Sequence, residues 1–319
     1  MITFAPISQT LRRERLHLPW LPLILFTLAA LLLTANASGW VRMWLIAIAL
    51  FAGFKWWTLR RVIEASAGAT NTPVARAICC PGARSAQEAT QARSLAYLCL
   101  WPGMSVRAFL FGTSPAKPAL KQWLWALTKT LLGATLLWVC ARQAGHGLLA
   151  GWIGMVGFIF LLHFGLFALL SLFWQSHVID APPLMKCPIA ATSLHDFWGR
   201  RWNAGFRDIV FALFFYPLAR RLGVTAAALA TFVLSGLIHE LVITVPAGAD
   251  YGLPTFYFAL QGAGLMLERS SLGAALGLTH GWRGRAFALG TVTLPIGALF
   301  PPVFVTGVMV PFFQLIHAL

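Results

Sequence analysis

Charge is what this sequence has least of. Aspartate and glutamate together number 9 in 319 residues, and all charged residues make up 10%, against roughly 25% in ordinary soluble domains. With 59% of residues hydrophobic and a mean hydropathy of +0.75, a water-soluble globular domain is excluded. Cysteine is also sparse. The five present (Cys79, Cys80, Cys99, Cys140 and Cys187) lack the paired spacing of a zinc site and are expected to be reduced thiols without catalytic work. Several catalytic signatures are missing too. There is no glycine-rich phosphate loop ending in Lys-Ser or Lys-Thr and no Gly-x-Ser-x-Gly elbow. His239-Glu240 does not extend to the second histidine of a zinc protease helix, because the residue that would carry it is Ile243. Neither a metal nor a resident cofactor is expected.

What the chain does have is long apolar runs. Several reach the roughly 20 residues that cross a hydrocarbon core of about 30 Å as helix, and nothing alternates as the strands of an outer-membrane barrel do. The expected fold is all-α and polytopic, one membrane-embedded domain over residues 1–319. Eight crossings are expected, at 18–34, 41–58, 123–140, 148–174, 224–245, 253–267, 286–300 and 303–318. Residues 95–112 and 206–218 are apolar but broken by Trp101-Pro102-Gly103 and Tyr216-Pro217, so they read as re-entrant or in-plane. The Ala, Gly, Pro and Arg-rich stretch 59–94 reads as a cytosolic loop, and 95–247 as the core that carries the motifs. Arg12, Arg13 and Arg15 before the first run resemble a signal peptide, but Asn36-Ala37-Ser38 is a poor cleavage site, so a retained span is expected.

Orientation follows from the basic residues. With the N-terminus inside, 21 of the 24 Lys and Arg fall on the cytosolic side; Arg42 and Arg142 fall outside, and Lys129 lies near the cytosolic end of a span. The expected location is a bacterial inner membrane with a cytosolic N-terminus. The net charge of +15 sits beside the spans, which points to anionic headgroups as partners rather than to nucleic acid. A basic cytosolic face would also gather a polyphosphorylated substrate.

Ionisable residues inside spans are costly and therefore functional candidates. His239 and Glu240 interrupt TFVLSGLIHELVITV. If that helix starts at Val224, His239 lies ~22 Å along it at 1.5 Å per residue. Ser235 and Gly236 share its face, and the face resembles one wall of a reaction pocket, with the small Gly236 leaving room for a reactant. His239 has two readings at this point, a general base or a histidine donating to a neighbouring helix carbonyl. Glu240 reads as an interhelical hydrogen bond or an ion pair with arginine. His163, without polar neighbours on its own helix, reads as structural. Gly262-Ala263-Gly264 fits helix packing.

A second concentration of chemistry is HDFWGRRWNAGFRD at 195–208. Trp198 and Trp202 lie four apart, as for an interfacial amphipathic helix, and Asp196 and Arg200 have ion-pair spacing. That account leaves Asn203 unexplained. The alternative is a binding segment in which Asn203 orients a carbonyl or hydroxyl, the aromatics form walls, and Arg200 or Arg201 meets phosphate.

In order along the chain, W-P-G-M at Trp101 to Met104, S-L-H-D-F-W-G-R-R-W-N at Ser193 to Asn203, F-Y-P at Phe215 to Pro217 and S-G-L-I-H-E-L at Ser235 to Leu241 resemble the membrane-bound O-acyltransferase superfamily and, within it, the wax synthase branch. The resemblance implies that Asn203 matches the motif asparagine and His239 the membrane-embedded histidine, the two catalytic sites of such enzymes. It implies transfer from acyl-CoA, as co-substrate, to a hydroxyl-bearing lipophilic acceptor such as a long-chain alcohol. His195 departs from the motif, where another polar residue is usual, which leaves the acceptor open. Two other functions fit the residues: a proton-coupled transporter or flippase using His239 and Glu240, or short-chain transfer to a glycan or secondary metabolite.

Overall fold

Apolar sequence of this kind, with no water to satisfy backbone groups, must close its hydrogen bonds within each segment. The computed structural model, which describes residues 20–67, 84–113 and 116–319, is accordingly helical; among these residues extended pairing is limited to a bridge between Thr113 and Ile179. The N-terminal arginines and the Cys79-Cys80 pair lie outside the described residues. Four stretches are long and apolar enough to cross a membrane, Gly39–Glu64, Leu120–Gln143, Leu148–Ser176 and Ala204–Ala247. A fifth is reached if the bent pair Gly281–Leu299 and Pro302–Leu315 forms one span.

The expected ladder of eight crossings therefore changes at particular places. The last two segments meet at 64°, where Pro301 and Pro302 remove two backbone donors and cannot continue a helix. Arg142 then donates to the carbonyl of His317, and Trp138 Nε1 donates to that of Ile316 at 3.2 Å. Eight alternating crossings would put Arg142 and His317 on opposite sides. The 59–94 stretch is also less loop-like than expected: one helix runs on to Ala67 and another spans Arg84–Leu100.

The 204–247 stretch is not a straight rod. Gly223 takes φ 79° and ψ 166°, a region open essentially to glycine alone. In one continuous helix Phe206 and His239 would stand ~50 Å apart. Their rings instead lie 6.0 Å apart, and Ile209 and Val210 pack with Ile238, Leu241 and Val242. The segment is a helical hairpin, with the expected re-entrant piece 206–218 as its first arm and the span from Val224 as its second.

Lys55, counted with the cytosolic basic residues, is 1% exposed. Its Nζ donates to the carbonyls of Tyr97 (3.0 Å) and Gly103 and sits 3.5 Å from the centre of the Tyr97 ring. Two carbonyls and a ring face replace water around the buried amine. The WPGM segment is thereby held against Gly205, just beyond the Asn203 position.

Candidate active site

Irregular chain from Asp180, with a 3-10 turn at Pro188–Ala190, leads into a short helical turn, Leu194–Asp196, that opens the arginine-rich motif. Ser193 caps it by accepting from the Asp196 N–H at 3.0 Å. Glu268, 2% exposed on the Leu253–Arg269 helix, accepts from the N–H groups of Leu194 and His195. A buried carboxylate thus serves donors that a helix start leaves orphaned. Glu268→Leu strands both, at about 1–3 kcal/mol each. It is expected to lower the melting temperature in detergent clearly, and Glu268→Gln, which keeps one acceptor, less so; equal melting of all three proteins would refute the pinning role.

After that turn the backbone widens. Phe197–Arg201 is π-helical, so residues five apart are neighbours rather than residues four apart. Arg201, not Arg200, therefore reaches Asp196, with Nε 2.6 Å from Oδ2. Arg201 also donates to the carbonyls of Lys186 and Cys187. Burial alone would push the Asp196 carboxyl up; the hydrogen bonds from Arg201 and the Thr192 N–H, with the charges of Arg201 and Arg200, hold it below the usual carboxylate range. Trp202 stacks on Phe197 at 5.6 Å, and Trp198 meets Phe232 and Phe258 while its Nε1 donates to Gln261. Trp198 also meets Phe197, at 5.0 Å, so both tryptophans of the expected amphipathic face pack on one phenylalanine.

Asn203 follows in the left-handed region, φ 39°, which asparagine tolerates better than most residues. It caps the Ala204–Val210 helix, its Oδ1 accepting from the Phe206 N–H at 3.1 Å. The capping interaction uses the amide oxygen and leaves Nδ2 as the donor the side chain can offer elsewhere.

On the second arm of the hairpin, His239 Nδ1 lies 2.7 Å from the carbonyl oxygen of Ser235. A carbonyl can only accept, so the neutral ring carries its proton on Nδ1 and presents Nε2 as a bare lone pair. Phe258 and Phe206 flank the ring at 4.4 and 6.0 Å. Ser235 contributes through this carbonyl, its own hydroxyl being turned to Thr231. Gly236 does not open the pocket as expected: it faces the Leu253–Arg269 helix, where a Cβ would strike the Thr255 backbone. Glu240 makes the interhelical hydrogen bonds anticipated for it, accepting from the Gly252 and Thr255 N–H groups and the Thr244 and Thr255 hydroxyls.

Asn203 and His239 line one cavity of about 700 Å³, within the range of small-molecule sites. Trp198, Trp202 and Ser235 share it, in a setting of phenylalanine, leucine, isoleucine and valine. Arg200, Arg201 and Gly236 are not among its walls. Its ionisable walls besides His239 are His163, His195, Arg207 and Arg269, none of which the sequence reading selected for the site. His195 and Arg269 are solvent-exposed as well as lining, so they mark its mouth. Arg269 donates to His195 Nδ1 at 3.1 Å. Burial, then the charges of Arg269 and Arg200, lower the His195 imidazole against a smaller opposing effect of Asp196, so the ring is neutral and the mouth is a guanidinium-rich polar patch.

The architecture and site together define an integral membrane protein whose helices enclose an apolar chamber with an imidazole and an amide inside it. Residues 181–260 match the family model for the membrane bound O-acyl transferase family. The chain is 41% identical over 71 residues to a long-chain-alcohol O-fatty-acyltransferase of Simmondsia chinensis, covering 20% of each protein. It is 31% identical over 148 residues to a probable long-chain-alcohol O-fatty-acyltransferase 9 of Arabidopsis thaliana, covering 41% of this chain and 42% of the relative. Acyl-CoA–sterol O-acyltransferase 1 of Arabidopsis thaliana is 38% identical over 71 residues, 20% of this chain and 21% of the relative. The alignments span less than half of these relatives' lengths. The resemblance carried by the motifs holds, to the membrane-bound O-acyltransferase superfamily and its wax synthase-like branch.

Proposed function

We propose that this protein transfers an acyl group from acyl-CoA to the hydroxyl of a long-chain alcohol or a comparable lipophilic acceptor. The observation that carries the reading is that Asn203 and His239 line one apolar cavity, His239 with Nε2 unprotonated. His239 removes the acceptor's proton as the hydroxyl oxygen attacks the thioester carbonyl carbon. A C–O bond forms, the C–S bond breaks from the tetrahedral intermediate, and the imidazolium returns the proton to the departing CoA thiolate. Asn203 Nδ2 donates to the carbonyl oxygen as its charge develops, an interaction worth about 3 kcal/mol in comparable sites. The apolar walls take the chains, each buried methylene favouring binding by roughly 0.8 kcal/mol, which suits long-chain substrates.

For the CoA phosphates, Arg269 and Arg200 are better placed than Arg201, whose guanidinium is already committed to Asp196 and two carbonyls. The mouth faces the cytosol in this reading; what supports it is that His195, Arg200 and Arg269 come from two separate basic segments that both count as cytosolic. Purified protein in nanodiscs, supplied with labelled acyl-CoA and a long-chain alcohol, is expected to form the ester and free CoA; no ester from any acyl-CoA and alcohol pair would overturn the proposal. In the same assay Arg269→Ala should raise the KM for acyl-CoA about tenfold, the loss of one charge-assisted hydrogen bond, and leave that for the alcohol unchanged. Equal shifts in both constants would assign Arg269 to structure instead.

A further inference from the structure

His163 lies outside the matched residues 181–260, on the Leu148–Ser176 span, where a seven-residue π-helical stretch, Phe160–Leu166, interrupts the α-helix. Such stretches shift the register of side chains around the axis and are frequent at functional sites. The shift puts His163 on the wall of the chamber that holds Asn203 and His239. The adjacent Phe164 ring meets Trp202, the residue before Asn203, at 6.4 Å between centroids. His163 packs edge-on to Phe167 at 5.3 Å, and its Nδ1 is buried with no hydrogen-bond partner among the described residues.

That orphaned atom decides the tautomer. A buried N–H with nothing to bond is rarer and costlier than a bare acceptor, so the proton belongs on Nε2. His239 has the opposite arrangement, its Nδ1 proton taken by Ser235 and its Nε2 free to accept. The chamber thus contains one imidazole built to accept a proton and another built to donate a hydrogen bond. We infer that His163 is a further substrate-contacting residue, its Nε2–H donating, together with Asn203 Nδ2, to the carbonyl oxygen of the bound acyl thioester. A neutral imidazole in this position stabilises the oxyanion without giving up its proton, and its role as an oxyanion donor rests on the acyl-transfer reading.

The test uses His163→Leu and His163→Gln, the glutamine placing an amide N–H near the position of Nε2. In His163→Leu, kcat is expected to fall about 100-fold, the loss of one oxyanion donor, with the KM for acyl-CoA within about threefold and the melting temperature unchanged or raised, because an unpaired polar atom has been removed. His163→Gln should recover at least about tenfold of the lost kcat. Wild-type kcat in a well-folded His163→Leu protein would overturn the inference. So would a loss accompanied by lowered melting and not restored by glutamine.

A readout independent of turnover is equilibrium binding, in nanodiscs, of a radiolabelled long-chain methyl ketone and of an alkane of equal length. The wild type should bind the ketone about five- to tenfold more tightly than His163→Leu does, the value of one hydrogen bond, and both should bind the alkane alike. Ketone binding unaffected by the substitution refutes the donor role whatever the enzyme assay gives. If wild-type protein forms no ester yet the ketone is discriminated, the acyl-transfer reading falls and His163 stands as an oxygen-binding donor of the chamber.

Discussion

His239→Ala is expected to reduce acyl transfer by about 10³-fold or more, since removal of a general base alone is worth roughly 10² to 10⁴. The fold should survive. His239 contributes one hydrogen bond within its own helix and two ring contacts, and the hairpin is held by separate apolar contacts of Ile209 and Val210 with Ile238, Leu241 and Val242. His239→Gln sharpens the result: it fills most of the space and keeps hydrogen-bonding capacity, yet an amide nitrogen cannot accept a proton near neutrality. Both variants should therefore be inactive with near-wild-type melting in detergent. Full turnover by either one would remove proton abstraction from this residue.

Asn203→Asp should produce the second largest effect, and its value lies in what it leaves alone. Aspartate caps helices as well as asparagine does and also tolerates the left-handed backbone. The bond to the Phe206 N–H and the start of the Ala204–Val210 helix are therefore preserved. What disappears is the Nδ2 donor, and a negative charge arrives where the reaction would build another. A kcat loss of at least about 10² to 10³ is expected, with melting unchanged. Asn203→Ala, by contrast, removes the cap, worth about 1 kcal/mol, and should lose stability as well as activity. If Asn203→Asp keeps wild-type kcat, Asn203 is a structural cap alone.

Much of the fold was legible because solvent imposes it. Low charge and long apolar runs leave helices as the spanning element, and four of the expected segments recur as long apolar helices, with the Phe206 and Val224 pieces forming the two arms of one stretch. Glu240 was readable as an interhelical acceptor because a carboxylate in a span must find donors. Helical arithmetic misled where the helix is not α. Asp196 pairs with Arg201 rather than Arg200 because the π turn adds a residue. Gly236 was read as space for a reactant, when the space is filled by the Thr255 backbone. Lys55 was counted with the cytosolic basic residues, yet two carbonyls and a tyrosine face hold it inside.

The amino-acid order by itself determined the solvent this chain lives in, its helical character and the motif pair Asn203 and His239, since these depend on composition and on spacing within short segments. Tertiary structure alone decided which groups share the chamber: the reversal at Gly223, the bend before Pro302, the burial of Glu268 under the motif and the arrival of His163 and Arg269 from distant helices. The physical reason is range. Hydrophobic burial and backbone pairing act on each segment wherever it goes, whereas a cavity is made of contacts between residues tens of positions apart, which no local period encodes.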